Sequence, residues 1–355
     1  MPHHAGRCEC LPVHRVHHLK GTILTSKPCS SPTRRHVLGA ALGSALLPWC
    51  AADAAAAIAG GKTITLVVSY PPGGGADLIA RLIAPKLAEA LGQPVIVENR
   101  PGASGTIAAG QVARAAPDGT TLLVDASSFA VNPSLFAKLP YDTATAFEPL
   151  GVIAQFANVL VCTPSFEART VADVIRLARA KPRQIAYASS GNGSAQHLAG
   201  ALFEELAKVQ LNHVPYRGGG PALTDVMGGQ VPLFFANVAS SMGHIQAGKL
   251  RALAVTAKLR TRALPEVPTM DEMGVKGHEV LEWNPVLAPA GLAPAVKASL
   301  VAALRKVKDD AEVVGRVRTL GGDIFAGDET QAAAFLKQQQ ALWAKVVRQQ
   351  GINRD

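Results

Sequence analysis

The stretch Val67–Leu91, VVSYPPGGGADLIARLIAPKLAEAL, limits what this chain can fold into more than any other. An aliphatic run (Ile64, Leu66, Val67, Val68) halts at Tyr70-Pro71-Pro72. Gly73-Gly74-Gly75 follow, and Ala76-Asp77 opens a segment with apolar residues at Leu78, Ile79, Leu82, Ile83, Leu87 and Leu91. This pattern predicts strand, glycine turn, helix. Glycines let a backbone approach a ligand closely, and the first turn of a helix offers unpaired N–H groups at the positive end of its dipole, so the junction suits an anion. Two phosphate loops fail against it: no lysine follows Gly75 as a P-loop requires, and Leu78 stands where a dinucleotide fingerprint has its third glycine. Asp77 beside the loop favours a small carboxylate or a neutral group over a polyphosphate. A plain turn with Asp77 as N-cap is the alternative.

With 355 residues and 48% hydrophobic content, the chain can bury a core large enough for about two domains. Its net charge of +9 invites a nucleic-acid reading. Residues 1–57, however, hold six Lys/Arg against two acids, leaving 29 basic against 24 acidic residues beyond them, scattered and without interleaved aromatics. The charge is that of a solvated surface, and no nucleic-acid partner is expected.

The same segment reads as an upstream extension and export signal. Thr33-Arg34-Arg35-His36 forms a paired-arginine n-region and Val37–Trp49 an apolar h-region; small residues at Ala51–Ala59 allow cleavage near 54–59. The h-region is shorter than the roughly 20 residues of a membrane span. The arginine pair is compatible with Tat or Sec export. The His- and Cys-rich residues 1–30 lack the apolar periodicity that would hold metal ligands in place, and a start codon set too far upstream accounts for them. Beyond the signal only Cys162 remains; it lies in an apolar run, is read as having no nearby basic partner, and is expected buried and inert.

From Lys62 onward the order is strand, helix, strand at 94–98, a turn-rich stretch at 99–105, a small-residue helix at 106–115 and a strand at 120–124. That alternation predicts a parallel sheet, with ligands beyond the carboxyl ends of its strands. The loop Asp125-Ala126-Ser127-Ser128 then shares an edge with the glycine loop. Extended connectors near 139–142 and 147–150 lead to apolar runs at 152–154 and 159–162, and a helix follows at 171–180. A second junction repeats the first: strand 185–188, loop Ser189-Ser190-Gly191-Asn192-Gly193-Ser194, helix 195–208. Its glycines permit close approach, and its serines add hydroxyls near another helix N-terminus. A nucleophile elbow would need Gly-x-Ser-x-Gly, which this loop lacks, so Ser194 and His197 read as ligand donors or as cap and first-turn residue. Arg217 could pair with a carboxylate or be structural. Further expectations are a helix at 222–227, strands at 231–235 and 250–255 separated by a short helix at 242–247, a crossing strand at 283–289, and two closing amphipathic helices at 293–308 and 329–349.

Tyr70-Pro71-Pro72-Gly73-Gly74-Gly75-Ala76-Asp77, Val97-Glu98-Asn99-Arg100-Pro101-Gly102-Ala103, Ala116-Pro117-Asp118-Gly119, His213-Val214-Pro215-Tyr216-Arg217-Gly218-Gly219-Gly220-Pro221-Ala222, Gly248–Val255 and Leu287-Ala288-Pro289-Ala290-Gly291, in this order and spacing, closely resemble the Bug family, the extracytoplasmic solute receptors of tripartite tricarboxylate transporters. The resemblance spans Lys62–Asp355. It implies an α/β, two-domain type II periplasmic-binding-protein fold with an interdomain cleft, domain 1 being 62–157 plus 283–355 and domain 2 being 158–282. It implies further a non-catalytic, periplasmic, monomeric receptor without cofactor or metal, whose partners are a small mono- or dicarboxylate and the membrane permease subunits of a transporter. A sensor-kinase receptor and a hydrolase using the Ser and Gly loops are the alternatives. The implied ligand-binding residues are Tyr70, Pro72, Gly73, Gly74, Gly75, Ala76 and Asp77 on one side and Ser189, Ser190, Gly191, Asn192, Gly193 and Ser194 on the other, with Ser127, Ser128, His197, Ala236 and Asn237 completing the wall. Many members carry Asp where this chain has Ala236, which removes a partner for an amino group at that position.

Overall fold

A computed structural model describes residues 61–350. The extension and export signal expected in residues 1–57, and its cleavage near 54–59, lie outside the described residues. The elements in chain order are β1 (Ile64–Val68), α1 (Gly75–Leu91), β2 (Val95–Asn99), α2 (Thr106–Ala113), β3 (Thr121–Val124), α3 (Ser128–Leu135), β4 (Phe147–Cys162), α4 (Val171–Ala180), β5 (Ala186–Ser189) and α5 (Ala195–Ala207). They continue with β6 (Asn212–Pro215), α6 (Gly219–Met227), β7 (Leu233–Asn237), α7 (Val238–Gln246), β8 (Arg251–Val255), β9 (Leu281–Pro289), α8 (Pro294–Asp309), α9 (Ala311–Thr319), β10 (Gly322–Ile324) and α10 (Glu329–Gln350).

The strands form one sheet in the order β2-β1-β3-β9-β4-β7-β5-β6, with β8 and β10 also pairing to β4. Strands β1, β2 and β3 are parallel to one another, as are β5, β6 and β7, whereas β9 runs antiparallel to β3 and β4 antiparallel to β7. Each parallel set therefore aims its carboxyl ends, and the helices that follow, at one edge. Fully buried Ile64, Leu66 and Val68 pack with Ile79, Ile83 and Leu87 of α1 and with Leu300 and Leu304 of α8. In the other half, Phe234 and Ala236 of β7 pack with Ala222, Leu223 and Val226 of α6. Both faces of these strands are covered by helices, which is why they read as near-continuous apolar runs.

Several boundaries differ from the sequence reading for identifiable reasons. The separate runs expected over 147–162 are one strand, β4, because its partner changes along its length: Phe147–Ala157 pairs with β9, and Asn158–Cys162 pairs with β7 and β8. Ser128, expected at the end of a loop, opens helix α3, and residues 129–135, given no element by the sequence, continue it. Helix α7 begins at Val238 rather than Met242, since the Asn237 side chain caps it by accepting from Ala239 N–H at 2.8 Å. Three helices and a strand close the chain instead of two helices; Asp310 caps the additional helix α9 by accepting from Glu312 N–H and Val313 N–H. The expected helix at 171–180 is α4, and Thr170 and Asp173 close a reciprocal capping box at its start. Cys162 is fully buried and burial pushes its thiol up, as expected of an inert cysteine; Arg251, distant in sequence, stands opposite it across the sheet and partly offsets that shift.

Candidate functional site

The two parallel sets run in opposite directions, because the β3–β9, β9–β4 and β4–β7 pairings between them are all antiparallel, and their carboxyl ends face each other with five strand-to-helix junctions (β1–α1, β3–α3, β5–α5, β6–α6 and β7–α7) between them. Four of them place first-turn residues on one cavity: Gly74, Gly75 and Ala76 of α1, Ser194, Ala195 and Gln196 of α5, Gly219 of α6, and Asn237 and Ser240 of α7. Tyr70, Ala126, Ser190 and Glu282 complete the lining. A helix N-terminus carries about half a positive charge, so four of them converging make the cavity electropositive without a lysine or arginine in its wall. The space inside it open to the centre of a water molecule is about 20 Å³, room for roughly one water.

The first junction leaves its helix start open. Gly74 is the N-cap of α1 and contributes no side-chain cap. Asp77 is not the cap; it is 2% exposed, accepts from Gly73 N–H at 3.0 Å and Asn99 Nδ2 at 2.8 Å, and meets Arg81 Nε at 2.9 Å. Burial raises its carboxyl, but the Arg81, Gly73 and Asn99 hydrogen bonds outweigh that and hold it below the usual carboxylate range. Its charge is thus spent on the loop, and Asp77 does not line the cavity. Pro72 and Gly73 form the exposed rim.

The second junction is braced from within. Ser194 caps α5 by accepting from His197 N–H at 3.2 Å, and the His197 ring Nδ1 accepts from Gly193 N–H at 3.0 Å. Ser189 Oγ accepts from Gly191 N–H at 3.1 Å and pairs with His213 Nε2 at 2.6 Å. The His197 and His213 rings stack 3.9 Å apart. Burial pushes His197 down to about 4, and burial with the neighbouring ring pushes His213 down to about 3, so both are neutral near pH 7. With Nδ1 accepting from Gly193 N–H, the neutral His197 ring carries its proton on Nε2 and has no free nitrogen to act as a base, and Ser194 itself accepts from His197 N–H; the geometry serves the loop, not a nucleophile. His197, Ser189, Gly191, Asn192 and Gly193 support the wall from behind or beside it, while Ser190 and Ser194 reach the cavity.

Ser127 and Ser128 are buried under the cavity, Ser128 accepting from Tyr70 Oη at 2.8 Å, and Ala126 takes the lining position in their place. Ala236 is fully buried inside β7 opposite Val159 and does not reach the cavity; its neighbour Asn237 does. Arg217 is exposed on a wider groove of about 270 Å³ at the mouth, together with Tyr216, Ser104 and Asn192. Across that mouth Ser104 Oγ donates to Asn192 C=O at 2.5 Å. Gly193 lies so close to Leu135 that a Cβ there would overlap its Cδ1, and its φ of +75° disfavours other residues as well.

Sequence reading missed Ala126, Ala195, Gln196, Gly219, Ser240 and Glu282. Glu282 is 6% exposed at the second position of β9, and its Oε2 accepts from Gln196 Nε2, which also donates to Asn158 Oδ1 at 3.0 Å. Its signal was available: it is the lone acid in Val280-Leu281-Glu282-Trp283-Asn284-Pro285-Val286, an otherwise uncharged run whose residues are buried or nearly so.

A mixed α/β architecture in which strand carboxyl ends and helix first turns from two halves face one cavity is shared with solved periplasmic binding proteins. The family model described as tripartite tricarboxylate transporter family receptor matches residues 79–352, and the chain belongs to that family. It is 34% identical to Protein BugT of Bordetella pertussis over 82% of this chain and 90% of the relative. A solved structure described as R. palustris Rpa4515 with adipate has a TM-score of 0.80 at 36% identity, covering 82% of this chain and 98% of the other. MatC from Rhodopseudomonas palustris with bound malate gives 0.77 at 31% identity, covering 80% and 98%. The family is one of receptors, and a further solved structure, described as that of periplasmic binding protein BugD, has a TM-score of 0.79 at 34% identity; this chain is a solute-binding receptor and not an enzyme, which sets aside the hydrolase alternative.

Proposed function

We propose that this protein is an exported, periplasmic, monomeric receptor that captures a small carboxylate between two domains and presents it, chemically unchanged, to the membrane permease subunits of a tripartite tricarboxylate-type transporter. The observation that carries this reading is the convergence of four helix first turns on one cavity, an arrangement that binds carboxylate oxygens through backbone N–H groups. The adipate and malate held by the two Rhodopseudomonas proteins support the ligand class. The ligand-contacting groups are Tyr70, Gly74–Ala76, Ser190, Ser194 and Asn237.

Domain 1 comprises 62–157 plus 283–355 and domain 2 comprises 158–282. The change of partner along β4 between Ala157 and Asn158 supports that division, since the β4 and β9 crossings are where rotation would part the halves. A cavity with room for about one water cannot admit a multi-carbon acid unless the halves separate, so binding would follow opening.

The test is thermal or denaturant melting of the protein freed of residues 1–57 against a carboxylate panel. A ligand at 100-fold its Kd should add roughly 2.7 kcal/mol of stability. Stabilisation by sugars or metal cations with none by any carboxylate would overturn the reading.

A further inference from the structure

At the mouth of the cavity a left-handed loop of one half faces the braced loop of the other. Resting on the two-domain carboxylate reading above, we propose that Ser104 is a latch residue: its hydroxyl, donated across the mouth to Asn192 C=O, holds the closed halves together and sets how long a ligand stays, without touching that ligand.

The donor is preset by its own half. Gly102, Ala103, Ser104 and Gly105 have φ of +133°, +46°, +54° and +90°, four left-handed residues in a row, two of which carry a Cβ. That backbone is unfavourable for Ala and Ser and persists only where its surroundings hold it. Asn132 Nδ2 donates to Ser104 C=O at 2.9 Å, and Thr106 Oγ1 donates to Ala103 C=O at 2.9 Å. Gly105 is packed so closely that an added Cβ would fall 2.9 Å from Asp125 Oδ1. All these partners lie within 62–157, so they remain when the halves part, and the Ser104 hydroxyl stays aimed outward.

The acceptor is preset as well. Asn192 stands between Gly191 and Gly193, whose N–H groups are taken by Ser189 Oγ at 3.1 Å and His197 Nδ1 at 3.0 Å. With both neighbours anchored, Asn192 C=O accepts from Ser104 Oγ at 2.5 Å across the groove of about 270 Å³ that both residues line. Ser104 is not part of the inner cavity wall. Beside it the halves touch without a side-chain donor: a Cβ on Gly218 would fall 2.5 Å from the Pro71 ring, and one on Gly220 would fall 3.2 Å from Pro72 C=O. Those contacts shape the seam, and the Ser104 hydrogen bond adds a directional attraction that exists only when the seam is shut.

A hydrogen bond made in the closed state alone multiplies the closed-to-open ratio by a constant factor, whichever acid lies inside. Its loss speeds opening and leaves entry through the open form unchanged. The left-handed strain, in contrast, is present in both states, so glycine at this position relieves the strain while it removes the latch. Ligand retention and folding stability then move in opposite directions, which a merely structural serine would not produce.

The experiment is stopped-flow binding of three- to six-carbon mono- and dicarboxylates, malate and adipate among them, with urea unfolding alongside, using wild type, Ser104→Ala and Ser104→Gly. Both variants should release the tightest-binding acid about fivefold faster, with association rates within about twofold of wild type. The urea midpoint of Ser104→Gly should equal or exceed that of wild type. Equal release rates in all three proteins overturn the latch and leave the carboxylate reading intact. Faster release accompanied by a lowered urea midpoint in both variants marks a structural role and overturns it too. Binding of no acid by wild type removes both. Should one variant fail to fold, the other decides the outcome.

Discussion

The two glycine-rich junctions, β1–α1 and β5–α5, share a plan and differ in where their side chains go. In the first, Asp77 turns back onto the loop and its neighbours Arg81 and Asn99, and no side chain caps α1. In the second, Ser189, Ser194 and His197 accept N–H groups of their own loop or helix. The first junction stiffens itself with a charge and leaves its helix start free for a ligand. The second stiffens itself with neutral groups and keeps Ser190, Ser194, Ala195 and Gln196 on the cavity. Two anion-suited loops of similar sequence thus take unequal parts, one offering mostly backbone and the other hydroxyls on a braced frame.

The contrast can be broken most forcefully with acid. His197 is held neutral in the folded protein down to about pH 4, so below pH 6.5 the unfolded chain binds a proton that the folded one refuses. Stability is therefore fully present above pH 6.5 and lost as pH falls toward 4, by up to about 3 kcal/mol from this residue. Urea midpoints at pH 7 and pH 5 should differ in wild type and differ less in His197→Gln, which keeps an acceptor for Gly193 but cannot titrate. Equal losses in the two proteins would dissolve the claim that the second junction is braced by a neutral ring.

Removing the charge that braces the first junction comes next. Asp77→Ala removes the acceptor of Gly73 N–H, the Arg81 contact and one of the two acceptors of Asn99 Nδ2, which keeps Tyr70 C=O, and should cost about 2 kcal/mol, more than the ~1 kcal/mol expected for the lost cap in Ser194→Ala. Arg81 is half exposed, so the ion pair itself contributes little of this. The reverse ranking in chemical denaturation would show that the two loops carry the opposite loads. The smallest effect is on binding: Gly75→Ala puts a methyl against buried Glu282 and against Asn237, the cap of α7, and should weaken carboxylate affinity roughly fivefold, about 1 kcal/mol, in a titration calorimeter.

Much of this was legible in the residues. The glycine loops announced both junctions because glycine followed by an apolar 3.6-residue period has few other readings. Helix α4 was legible to the residue, since Thr170 and Asp173 form a local cap that depends on nothing distant. What stayed illegible was whatever depends on a partner far along the chain. Strand β4 looked like separate runs because its continuity is imposed by β9, β7 and β8, more than 70 residues away. Ser127 and Ser128 sit beside the right loop in sequence, but one residue's rotation into α3 puts Ala126 on the cavity instead. Asp77 gave no sign of being turned away, because Asn99 is 22 residues on.

Sequence alone determined the local conformations, the family, and the presence of two anion-suited helix starts, because backbone N–H groups, glycine freedom and apolar periodicity act over a few residues. Only tertiary structure decided which side chains face the ligand. A cavity wall is assembled from residues such as Gly75, Gln196, Asn237 and Glu282 that lie up to 207 positions apart, and whether a given acid or hydroxyl reaches it depends on what the packing of the sheet has already buried or paired.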